Sequence, residues 1–80
     1  MTAKRSIGDV GLFAGRLDEA QTRADLTNDQ VADRAGMHER RYRRLCDGDL
    51  VNGPTLSEVV MLARVLRVCK TWLAFGEGAP

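Results

Sequence analysis

The chain has few of the residues that bind metals or carry covalent chemistry. Its 80 residues include one histidine, His38, and two cysteines, Cys46 and Cys69. These three lack zinc-ligand spacing, so no metal site is expected. No nucleophile is paired with an evident base, and no glycine-rich loop could cradle a phosphate, so neither an enzyme nor a cofactor is expected. Long apolar runs are missing too. The most apolar stretch, Val59 to Val68, is short and holds Arg64 and Arg67, which excludes a membrane span. Lys4 and Arg5 are followed by Ser6-Ile7-Gly8-Asp9 with no apolar run, so no secretory signal is expected. There are no repeats and no low-complexity segments. Nor does charge of one sign dominate: 12 Lys and Arg stand against 11 Asp and Glu, a net of +1. A globally basic coat for nucleic acid is thereby excluded. The expectation is one soluble, cytoplasmic domain in which both cysteines stay reduced and act as small apolar residues.

What is present is a succession of short helical patterns. The hydrophobic fraction of 44% suits a folded globule. Residues 1–8 read as a flexible arm, 9–76 as the domain and 77–80 as a tail. A first helix is expected from about Val10 to Thr22, with Leu12, Phe13, Leu17 and Ala20 on its inner face. Asp18 and Thr22 would face solvent, and Arg16, Glu19 and Arg23 would lie at the edge. Residues 24–26 read as a connector. A second helix begins at Thr27, whose capping box is completed by Gln30. It buries Val31, Ala32 and Ala35 and stops at Gly36, where a left-handed conformation is cheap. A third helix spans about His38 to Asp47 and is closed by Gly48. After a loop punctuated by Asn52-Gly53-Pro54, Thr55 and Glu58 form a second capping box for a helix running to about Arg67. A last short helix, about Lys70 to Phe75, carries Trp72 as a core plug and ends at Gly76.

The third helix is the most informative element. Tyr42, Leu45 and Cys46 share one side of it. Arg40, Arg43 and Arg44 share the other, flanked by Glu39 and Arg41, an amphipathic split over the whole helix. Between His38 and Cys46 four arginines meet one acid, Glu39. Two short helices joined by the tight turn Ala35-Gly36-Met37, the second loaded with arginine, make a device for placing side chains in the DNA major groove. Charge concentrated on one helix of a near-neutral protein suits a specific binder better than a nonspecific one. The fourth helix is apolar nearly all round. Its surplus at Met61, Val65 and Val68 points to a homodimer interface.

Taken in order, Leu26-Thr27, Val31-Ala32, Ala35-Gly36-Met37, Leu45, Gly48, Pro54-Thr55-Leu56, Leu62-Ala63, Leu66, Val68 and Trp72-Leu73 with Gly76 resemble the lambda-repressor-like helix-turn-helix proteins of the Cro/CI or XRE type. The resemblance covers about Leu12 to Gly76. It implies an all-α compact bundle of about five helices, a homodimer, and an inverted-repeat operator on double-stranded DNA. It also implies that the second helix braces the phosphate backbone while the third reads bases. Carried onto this chain, the base-reading positions fall on Glu39, Arg40 and Arg44. Asn28, Arg41, Arg43 and Asn52 are the candidates for phosphate contact, with Lys4 and Arg5 as weaker ones. The family often has glutamine or serine where this chain has Glu39, Arg40 and Arg41. Arginine pairs best with guanine O6 and N7, so a G·C-containing half-site is expected, with Glu39 accepting from cytosine or orienting Arg40 or Arg43.

The function implied is a repressor- or Cro-like transcriptional regulator of the phage type, controlled by its own concentration. An antitoxin is the alternative, disfavoured because only Glu77-Gly78-Ala79-Pro80 follows the last helix. An excisionase-like architectural DNA binder is a further alternative.

Overall fold

The computed structural model describes residues 10–48 and 53–80, and among these it holds five helices and no strand. They are α1 (Val10–Ala24), α2 (Asn28–Ala35), α3 (Glu39–Cys46), α4 (Leu56–Leu66) and α5 (Lys70–Phe75). The all-α bundle expected from the helical periodicity is therefore the architecture observed.

One core joins all five elements. Phe13, Leu17 and Ala20 enter it from α1, Val31, Ala32 and Ala35 from α2, and Tyr42 and Leu45 from α3. Val59, Leu62, Ala63 and Leu66 come from α4, and Trp72, Leu73 and Ala74 from α5. Full burial of each large apolar side chain contributes about 1.5–3 kcal/mol, so no single helix dominates. The small residues of α2 let α3 and α4 pack closely against it. Leu12 departs from the expected inner face: it is 36% exposed, while its neighbour Phe13 is fully buried.

Capping sets the helix boundaries. Thr27 and Thr55 both form complete capping boxes, with Gln30 and Glu58 respectively reaching back to the cap amide. Three helices end in the same way. After α2, Gly36 adopts φ +70°, and the Met37 amide donates to the Ala32 carbonyl at 3.0 Å. After α4, Arg67 adopts φ +57°, and the Val68 amide donates to Ala63 at 3.0 Å. After α1, Asp25 adopts φ +58°, and the Leu26 amide donates to Gln21 at 3.4 Å. This is the Schellman arrangement, which satisfies carbonyls left over at a helix end. Its use at Asp25 explains why α1 runs to Ala24 rather than stopping near Thr22.

Two sets of contacts hold α5 and the residues after it. Arg16 donates from Nε to the Leu73 carbonyl at 2.8 Å and from Nη2 to the Ala74 carbonyl at 3.0 Å. It thereby ties α1 to the last turn of α5. A Cβ at Gly76 would come within 3.1 Å of Arg16 Nη1, so glycine there also makes room for this clamp. The Cys69 amide, which opens α5, donates to the Pro80 carbonyl at 3.0 Å.

Candidate nucleic-acid interface

α2, the turn at Gly36 and α3 form a helix-turn-helix whose inner faces are both buried. On α3, Tyr42 and Leu45 are buried, whereas Arg40, Arg43 and Arg44 are exposed. The inner pair holds the helix down, and the three arginines are left pointing away from the core. Glu39 is half-buried and receives Arg43 Nη2 at 3.3 Å, one helical turn along. A pair this open to solvent adds little stability. Arg40 and Arg44 have no ion-pair partner among the described residues. Both line an open groove of about 660 Å³ with His38, Glu39 and Arg41. His38 stands at the cap position of α3, but its side chain makes no capping bond.

Arg41 occupies a different setting from its three neighbours. Its Nε donates to Glu58 Oε2 at 2.8 Å and its Nη2 to Glu58 Oε1 at 2.7 Å. Nη2 also donates to the Gly53 carbonyl at 2.9 Å. A two-pronged guanidinium–carboxylate pair of this kind is both strong and orienting. The hydrogen bond from Arg41 leads the effects that hold the Glu58 carboxyl below its ordinary range. Because Glu58 also caps α4 through Thr55, the start of α4 is bolted to α3.

Asn28 opens α2 and is half-buried. Its Oδ1 accepts from Gln21 Nε2 at 2.9 Å. The Tyr42 hydroxyl donates to Gln21 Oε1 at 2.6 Å, and burial pushes the phenol pKa far up. Tyr42 therefore belongs to the core, with its polar end satisfied internally. Sequence reasoning passed over Gln21, which carries no local signal because its three partners lie on other segments. Asn52, Lys4 and Arg5 lie outside the described residues.

Of the expected dimer residues, Met61 is 37% exposed, while Val65 and Val68 pack against the edge of the core. Those two valines line a second groove, of about 440 Å³, with Leu26, Arg34 and Pro80. Leu56, at 72% exposure, and Phe75, at 43%, are apolar surfaces the sequence reading did not single out. Both cysteines are free: Cys46 is half-buried, and Cys69 is exposed. Burial raises the Cys46 thiol pKa, and hydrogen bonding to the Trp72 amide lowers that of Cys69. Among the described residues no cluster of His, Cys, Asp or Glu could hold a metal ion. No helix there is long and apolar enough to cross a membrane.

Comparison with known proteins agrees with this geometry. Over 68 residues, 85% of the chain, it is 31% identical to the HTH-type transcriptional regulator PrtR of Pseudomonas aeruginosa. The chain spans 25% of that protein's length. No family model matches the chain, and no solved structure matches it significantly.

Proposed function

We propose that this chain is a sequence-specific DNA-binding module of a transcriptional regulator, acting in the cytoplasm and placing α3 in the major groove. The observation that carries the reading is the face of α3. Arg40, Arg43 and Arg44 point outward from a helix whose other side is sunk in the core, in a protein of net charge only +1. The likeness to a regulator of the helix-turn-helix type supports the same reading. Arg40 and Arg44 read guanines, and Glu39 accepts from cytosine or holds Arg43 in place. Arg43 and Asn28 contact phosphates. Arg41, held by Glu58 and Gly53, sets the angle at which α3 leaves the bundle. The repressor-like mode is a homodimer on an inverted repeat, with the apolar surface around Met61 in the dimer seam. Its two recognition helices would then sit roughly 34 Å apart, one DNA turn.

The test is titration of a labelled duplex at several salt concentrations. The expected result is affinity that falls with salt and is lost in Arg40→Ala/Arg44→Ala at unchanged thermal stability. Equal binding by wild type and that variant would remove the assignment of α3.

A further inference from the structure

Three side chains form a chain of hydrogen bonds from the core to the edge of the proposed interface. The polarity of that chain is fixed by an atom that can only accept. Gln21 Nε2 donates to the Leu26 backbone carbonyl at 3.0 Å, and a carbonyl oxygen has no proton to give. The nitrogen of the Gln21 amide must therefore face Leu26. Its oxygen is left to the Tyr42 hydroxyl, 2.6 Å away, which becomes the donor. The second Nε2 hydrogen goes to Asn28 Oδ1 at 2.9 Å. That choice settles Asn28 in turn: its oxygen is used inward, and its Nδ2, with two hydrogens, is the atom directed away from Gln21. No described residue accepts from that nitrogen. The arrangement has a consequence for a phosphate, whose oxygens at neutral pH only accept. Asn28 with its nitrogen outward attracts a phosphate, and with its oxygen outward repels one.

We propose that Gln21, on α1 and outside the helix-turn-helix, is a positioning residue for DNA binding: anchored by Tyr42 and Leu26, it holds the Asn28 amide with its donor facing the DNA backbone. This rests on the DNA-binding reading above. It gives the buried Tyr42 hydroxyl a role beyond satisfying itself, because the order set in the core is passed outward to Asn28.

The experiment is a double-mutant cycle on a fluorescently labelled duplex of random sequence at low salt, since phosphate contacts do not depend on sequence. Dissociation constants and melting temperatures are measured for wild type, Gln21→Met, Asn28→Ala and the double variant. Each single variant is expected to raise Kd by about tenfold, the loss of one hydrogen bond to a charged group. The double variant is expected to bind no more weakly than Asn28→Ala alone, because Gln21 acts only through Asn28. A purely structural role would instead lower affinity in step with melting temperature and independently of residue 28. The cycle is repeated with Gln21→Glu, which keeps a polar partner for Tyr42 but can no longer donate. It turns the Asn28 oxygen outward and gives a larger loss, of which only the part due to its added negative charge persists in the Asn28→Ala background. Additive losses in both cycles, or wild-type affinity in Gln21→Met, overturn the proposal. If Asn28→Ala binds like wild type while Arg40→Ala/Arg44→Ala does not, Asn28 is no contact, and the proposal falls with the DNA-binding reading intact. If wild type binds no duplex at all, both fall together.

Discussion

At the scale of single residues, the four arginines of α3 divide by their surroundings. Arg40 and Arg44 face outward without an ion-pair partner among the described residues, Arg43 rests on Glu39, and Arg41 is bound at two points by Glu58. A base-reading arginine and a phosphate-binding one fail differently. Arg40→Ala is expected to relax preference at one or two base pairs, at about 1–3 kcal/mol of discrimination each. Arg43→Ala is expected to weaken binding on every sequence and to shrink the salt slope by about one. Parallel titrations on matched and mismatched duplexes separate the two outcomes. Arg41 and Glu58 make a stability prediction. Glu58→Gln should lower stability at neutral pH by about 1 kcal/mol, a partly exposed but two-pronged pair. The Glu58 carboxyl is held below its ordinary value. Its contribution is therefore present above the unfolded-state pKa and disappears as pH falls through the lower, folded-state value. Acid melting curves of wild type and Glu58→Gln should converge below the ordinary carboxylate range and part above it. The arginine face was legible in the sequence because amphipathic spacing within one helix is a local signal. The partner of Arg41 was not, since Glu58 stands 17 residues away and only the packing of α4 on α3 brings it near. The Gln21 bridge was hidden for the same reason.

At the scale of elements, helix starts were easier to read than helix ends. Both capping boxes, at Thr27 and Thr55, follow from residue type at fixed spacing, and both form. Gly36 likewise announced the end of α2. The end of α1 did not announce itself, because Asp25 occupies a left-handed position where glycine is the usual signal; α4 ends at Arg67 as expected, in the same left-handed conformation. There the stop is imposed by the tertiary turn, at a local cost. Replacing that cost gives a prediction opposite in sign to most substitutions. Arg67→Gly should stabilise the protein by about 1 kcal/mol, since a non-glycine residue in this region costs about that much. In a domain of this size that raises the melting temperature by about 4–8 °C. Gly36→Ala should lower it by a similar amount, because the same backbone angle is then forced on a residue with a Cβ. Differential scanning calorimetry of the two variants checks both signs.

At the scale of the whole molecule, five helices among the described residues share one core and leave the arginine face of α3 and scattered apolar surface outside it. The exposed apolar surface of α4 lies at Leu56 and Met61 rather than at all three expected positions. Val65 and Val68 tuck against the core edge, and Met61 is left as the exposed member of the three. If Met61 lies in a dimer seam, Met61→Glu should shift sedimentation toward monomer and flatten the dependence of DNA occupancy on protein concentration, with little change in melting temperature. The fold class was legible because the helices show their own periods and two of them begin at capping boxes. The assembly was not, because a residue at the rim of a small core and one at a seam have the same sequence signature.

The claim that α3 reads DNA sequence is tested most directly by selecting bound duplexes from a random pool, with Arg40→Ala/Arg44→Ala selected in parallel. The account predicts that wild type enriches an inverted repeat with G·C pairs in each half-site, and that the variant does not. Enrichment of nothing by wild type, with equally weak and salt-sensitive binding by both proteins, would contradict it and assign the arginine helix to another partner.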